Sequence, residues 1–354
     1  MIAGPNSRRI AACLFLIGGL LLQVPCVLAP PPEDPTPSTQ ETINVIKQRA
    51  EQILAERKRA KQLQFYGEAS QGFGFERNPS YSSNHKSSAY SEEDLYLLLS
   101  KKLAPQWTWQ GIYSGSYTHY FKLMLDTYSY QTLTPLKLIW KPNRMWRIDG
   151  GVDLTHLWYL DTKDSKSSSY QELKPWTGVR QNLWGSWFHA IRYSWFLRHY
   201  TSARARDGLG RATLSLREDT RDAFRYERGT TWKDTLLKGR YDYYLNDSND
   251  ARNDFYDAQD NKFTLSISRP LTKKLSALAS FSHELKHYAH RPVGGIAPKK
   301  VRYDEIYTWN ISGSYDFNPT WSLNPAFMYT RNNSNDPTGE YYDWTASVAL
   351  TAHF

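Results

Sequence analysis

The 354-residue chain has only two cysteines, Cys13 and Cys26, both close to its start. Everything after Cys26 therefore lacks the thiols needed for a disulfide framework, a thiol nucleophile or a thiolate metal site. Beyond Leu22 no run approaches the roughly 20 apolar residues of a membrane-spanning helix. A Gly-rich phosphate loop, an HExxH and a G-x-S-x-G are missing too, so neither an enzyme nor a cofactor is expected. The formal charge is +9, or +7 without Arg8 and Arg9, but the Lys and Arg are scattered and form no stripe. That pattern fits an electropositive surface or interior and gives no reason to expect nucleic acid.

What the sequence does have is aromatic residues. They make up 15% of the chain, with 25 Tyr and 13 Trp, although only 40% of it is hydrophobic and the mean hydropathy is negative. A soluble core needs no such excess, whereas a membrane barrel uses Trp and Tyr to ring both edges of its lipid-facing band. The one long apolar run, Ile10 to Leu22, follows Arg8 and Arg9, which is the layout of a secretory signal peptide over residues 1–29 ending at Val27-Leu28-Ala29. Pro25 disfavours a lipid-attachment reading of Cys26. Residues 30–37 carry five prolines and read as an extended linker. Ser38 and Glu41 then have capping-box spacing, and Ile43, Ile46, Ala50, Ile53 and Ala60 recur at helical steps. The expectation is a short periplasmic amphipathic helix over 38–61, with a lumen plug or a self-associating coil as the alternatives.

From about residue 62 the period changes to 2 and stays there. In the last segment Tyr342, Trp344, Ala346, Val348, Leu350, Ala352 and Phe354 share one face, while Asp343, Thr345, Ser347, Ala349, Thr351 and His353 share the other. Tyr307 to Phe317 repeats the pattern, and Leu275 to Ser282 does so with Leu278 as its one break. Connections alternate in length: Asn332 to Gly339 is long, Asn318-Pro319-Thr320 short, His290 to Lys300 long, Pro270-Leu271-Thr272 short and Asn246 to Asp257 long. Nearer the N-terminus Lys141-Pro142-Asn143 and Lys102 to Pro105 are short, while Asp161 to Ser168 and Ser80 to Ser91 are long. Long extracellular loops and short periplasmic turns are the rule in outer-membrane barrels. Strands are expected near 62–78, 92–103, 106–121, 127–141, 144–159, 168–182, 184–200, 209–220, 232–246, 258–270, 273–289, 302–318, 320–333 and 340–354. No turn can be placed between Asp219 and Trp232. The fold class is thus all-β, a transmembrane antiparallel up-and-down barrel of an estimated 14 strands, with 12 or 16 as alternatives, over 62–354. Trp107, Trp109, Trp140, Trp146, Trp184, Trp187, Phe317 and Trp321 cluster beside the short turns as an interfacial girdle should.

A final strand of alternating apolar residues ending in Phe354 resembles the C-terminal signal of bacterial outer-membrane β-barrel proteins. The resemblance implies an outer-membrane location, contact with its lipid and lipopolysaccharide, and recognition of Phe354 by the barrel-assembly machinery. Within that superfamily, Tyr329-Thr330-Arg331-Asn332-Asn333-Ser334-Asn335-Asp336 with Tyr341-Tyr342-Asp343 is similar to the C-terminal barrels of surface lipoprotein assembly modifiers. Here one helix stands where such proteins carry a helical-repeat domain.

Parity points Arg147, Asp149, Asp153, Arg192, Arg198, Lys238, Arg240, Asp242, Glu284 and Lys286 inward. In a wet lumen such charges stay hydrated and tune ion selectivity; in a narrow one they must pair across it. The leading expectation is a porin-like passive channel for small hydrophilic or anionic solutes. The alternative is a non-conducting barrel acting as a surface anchor, export or assembly factor, with a protein partner at the periplasmic helix. Two minor features read as structural: Ser282-His283 and Ser186 near His189 look only loosely lipase-like, and Asp247, Asp250, Asp254, Asp257 and Asp260 make a carboxylate-dense loop without the turn Gly or closing Glu of a calcium loop.

Overall fold

The computed structural model describes residues 63–79, 86–122, 127–159, 169–183, 186–207, 211–250, 256–293 and 300–354. The expected signal peptide, linker and helix, and Trp184 of the girdle, lie outside them. Fourteen strands follow in chain order: β1 (Gln64–Glu76), β2 (Ser88–Ala104), β3 (Trp107–Tyr120), β4 (Tyr128–Trp140), β5 (Trp146–Tyr159), β6 (Tyr170–Asn182) and β7 (Trp187–Arg206), then β8 (Ala212–Trp232), β9 (Thr235–Ser248), β10 (Ala258–Pro270), β11 (Leu275–Pro292), β12 (Val301–Asp316), β13 (Trp321–Ser334) and β14 (Tyr341–His353). Each pairs antiparallel with its chain neighbours, and β1 closes on β14. Closure leaves no edge, which is the condition for a sheet to sit in hydrocarbon with every backbone donor paired.

The alternation seen in the sequence becomes two faces. On β14 Val348 and Leu350 are 42% and 43% exposed, while Asp343 and Thr351 on the other parity are 0% and 4%. The same outward parity carries Phe73, Leu99, Leu154, Ile191, Ile311 and Phe327, all exposed. An apolar surface of this extent is unstable in water and stable in lipid.

The height of the belt follows from numbering. Leu103 to Glu93, Trp232 to Asp222, Leu237 to Asp247, Tyr315 to Glu305 and Trp321 to Arg331 are outward positions ten residues apart, each apolar or aromatic at the short-turn end and charged at the other. Ten residues rising about 3.3 Å each, on strands tilted about 40°, climb about 25 Å. That is the thickness of the lipid-facing band of an outer-membrane barrel.

One segment corrects the sequence reading. Residues 219–232 contain no turn: β8 runs unbroken to Trp232, and the β8–β9 turn is Lys233-Asp234, with Lys233 at a φ of 52°. No Gly, Asn or Pro marks it. Asp222 also faces outward there at the extracellular margin of the belt, and Arg228 faces outward within it, its guanidinium over the Trp187 ring, which hid the alternation. Elsewhere a lost donor is absorbed locally: Pro135 falls in the register shift between Leu133 and Leu136 of β4.

Candidate functional site in the barrel lumen

Directly opposed residues share a face, so the register carries the inner wall from strand to strand. Arg147, Asp149 and Asp153 on β5 oppose Arg180, Gly178 and Lys174 on β6. Arg192 and Arg198 on β7 oppose Arg225 and Asp219 on β8. Lys238, Arg240 and Asp242 on β9 oppose Gly229, Glu227 and Arg225, and Glu284 and Lys286 on β11 oppose Lys262 and Asp260 on β10. All ten sequence-derived positions therefore lie on the inner face. The partners at Lys174 and Arg180 were open to the same parity argument. Arg225 and Glu227 were not, because they sit in the stretch where no strand could be assigned.

Charges near the extracellular end are paired and buried. Arg198 holds Glu172 at 2.7 Å and lies 4.0 Å over the Tyr170 ring. Arg217 holds Asp219 with its Nε at 2.8 Å, under the rings of Tyr200 and Tyr256. Arg302 pairs with Asp304 at 2.7 Å beside Tyr288. Such pairs rigidify the wall; their charge is largely cancelled. Above them Asp250 accepts the backbone N–H groups of Arg206 (2.6 Å) and Tyr256 (3.0 Å), and burial pushes its carboxyl above the usual range. The acidic loop is thus used for backbone ties, with Asp257 likewise capping Ser248 N. Asp254 lies outside the described residues, among which no group of three metal-ligating side chains forms.

The periplasmic half differs. A cavity of about 230 Å³ opens on the inner face between β4 and β11, where Arg192, Arg225, Lys238 and Arg240 meet Asp149 and Glu227. Arg225 and Arg240 share one carboxylate, Asp242, at 2.6 and 2.7 Å. The Arg240 contact is close but poorly aligned, so its Nε–H has no hydrogen-bond acceptor. Further toward the extracellular side Lys174 pairs with Asp153 at 3.0 Å, and Lys262 with Glu284 at 3.1 Å. Arg192 makes no ion pair among the described residues and rests 4.2 Å over the Trp176 ring. Across the lumen at this height β12, β13 and β14 contribute small neutral groups, Asn310, Ser312, Asn324 and Ser347, and beside them on the inner face Ser70 of β1 donates to the Asp94 carboxylate of β2 at 2.8 Å.

The Ser and His pairs of the sequence do not come together. Ser282 faces the lumen while His283 faces outward and binds Glu305 at 2.9 Å. Ser186 meets Thr230, and His189 meets Gln181 at 2.7 Å. A different trio does have hydrolase-like spacing: Ser322 Oγ is 3.0 Å from His353 Nε2, and His353 Nδ1 is 2.9 Å from Glu68 Oε1. Ser322 is 0% exposed, so no ester can reach it, and the chain of contacts instead ties β13, β14 and β1 across the closure. Next to it Phe354 exchanges both backbone hydrogen bonds with Gly67, at 2.8 and 2.9 Å.

No family model and no curated protein matches the chain. Several solved structures are similar to the chain at low identity. OprB of Pseudomonas putida is 9% identical over 82% of this chain and 94% of that one, with a TM-score of 0.49. OmpT of Vibrio cholerae, in its trimer form, is 8% identical over 83% and 100%, with a TM-score of 0.48. An anion-selective porin from Comamonas acidovorans is 8% identical over 83% and 99%, with a TM-score of 0.43.

Proposed function

We propose that this closed barrel of fourteen strands is a passive outer-membrane channel for small hydrophilic solutes that favours anions. The observation that carries this reading is the uneven charge of the periplasmic half of the lumen. Cationic side chains from β4 to β9 crowd one wall, while β12 to β14 opposite carry hydroxyl and amide groups, and the inward carboxylates Glu92 and Asp94 are set apart on β2. A solute anion gains attraction on one side and replaces part of its hydration on the other. Low-dielectric walls focus that field, and salt weakens it over a Debye length of about 10 Å at 0.1 M.

Planar-bilayer recording tests the proposal. Chloride should permeate several-fold better than potassium at low salt, and the ratio should fall toward one at high salt. Replacing Arg192 and Arg240 together by Gln should move it toward potassium. A barrel that folds but conducts nothing, or prefers potassium, would refute the channel reading. The paired and buried charges near the extracellular end favour a second reading, a non-conducting anchor or export barrel. It takes over if the folded protein passes no current. This second reading predicts loss of a surface partner when residues 38–61 are deleted.

A further inference from the structure

The cavity on the inner wall is built more specifically than a general anion path requires. Trp176 lies flat because Gly151 beneath it has no side chain: a Cβ there would stand 3.0 Å from the indole. Its Nε1–H donates to Asp153 Oδ1 at 3.1 Å, which fixes the ring in its plane. Arg192 is laid on that ring, and the missing side chain of Gly178 leaves room for the neighbouring Asp149 carboxylate, whose Oδ1 would be 3.0 Å from a Cβ at that position. A guanidinium is thus held in one orientation by stacking, with its hydrogen-bonding edge uncommitted to any carboxylate among the described residues.

The charge balance is as pointed. Lys137, Arg147 and Arg180 line the cavity along with Arg192, Arg225, Lys238 and Arg240, against the carboxylates Asp149 and Glu227, with Asp242 behind. A surplus of this size is poorly matched by one monovalent ion. Guanidinium groups from β7, β8 and β9 meet there, and their planar forks suit oxygen pairs on phosphate-like groups. The volume of about 230 Å³ is some seven water volumes at about 30 Å³ each, room for a tetrahedral oxyanion and a few waters.

We propose that this cavity is a binding subsite for a divalent tetrahedral oxyanion, of the phosphate or sulfate class, with Arg192 as its central ligand and Trp176 as the group that positions it. The proposal rests on the channel reading and makes conduction of that class saturable, where an unspecific anion path would show a linear rise with concentration.

The probe is sulfate, divalent at every working pH, added at rising concentration to a channel conducting KCl. Sulfate should reduce the chloride current along a saturable curve, and acetate at equal concentration should not. Arg192→Gln should weaken the sulfate half-saturation about tenfold or more, the loss expected for a charge-assisted bidentate contact. Trp176→Leu, which removes no charge, should also weaken it, and Arg192→Lys should restore only part of the affinity. Arg269→Gln, which removes the same charge from the outward face at the periplasmic margin, should leave sulfate block unchanged. An anion-selective channel that sulfate does not block, or whose block is indifferent to both Arg192→Gln and Trp176→Leu, overturns the subsite and leaves the channel reading standing. A cation-selective channel overturns the channel reading first.

Discussion

Leu265→Asp should abolish most of the heat-modifiable, membrane-inserted form, whereas Ser266→Asp, one residue away, should leave it intact. Leu265 is 50% exposed on the outward face of β10, opposite Gly239 and Phe281, near the middle of the belt. A charge there has neither water nor partner. Basic residues at the bilayer midplane cost about 2–4 kcal/mol, and acidic ones somewhat less, which is still a large share of a marginal folding free energy. Ser266 opposes Lys238 on the inner face and lines the basic cavity, so an added carboxylate gains neighbours of opposite sign. Fractionation with and without heating measures both. Equal loss at 265 and 266 would mean that the two-faced assignment of β10 is wrong.

Deleting Phe354 should sharply lower the yield of closed barrel, and Gly67→Val should do nearly the same with Phe354 present. The first and last strands meet from Glu68–His353 to Glu76–Thr345, and the two Gly67–Phe354 backbone bonds extend this seam to the chain end. The Phe354 ring lies over Gly67, where a Cβ would overlap it, and 6.1 Å from Phe65. Losing the residue therefore removes two backbone bonds, an interfacial ring and, by resemblance, the assembly signal. Refolding into detergent separates these contributions. If the Phe354 deletion refolds like the parent in vitro but fails to assemble in cells, the signal dominates; if Gly67→Val is silent in both, the ring does not brace the seam.

Much of the barrel was legible because hydrocarbon imposes strict alternation, and a period of 2 sustained over many segments leaves few other solutions. β10 was read to the residue, since Pro270 and an unbroken Phe263, Leu265, Ile267 alternation mark it. β8 was legible only at its start. Its outward Asp222 and Arg228 break the pattern, and the Lys233-Asp234 turn carries the positive φ on a lysine, with no Gly or Asn to mark it. Inner-face charges were legible by parity, but their pairing was not: that Arg225 and Arg240 share Asp242 while Arg192 stacks on Trp176 depends on the stagger of four strands. The seam trio of Ser322, His353 and Glu68 was equally hidden, because it joins residues from opposite ends of the chain.

The central claim is that the inner wall of this barrel is wet and electropositive while the outer wall is in lipid. Thiol labelling of reconstituted protein tests it most directly, with Cys13 and Cys26 replaced by Ser, using Ser266→Cys and Leu265→Cys in turn. A negatively charged water-soluble thiosulfonate should modify position 266 faster than a positively charged one, with the difference shrinking in high salt, and neither should modify 265. Equal reactivity at the two positions, or faster reaction of the cationic reagent at 266, would contradict the account.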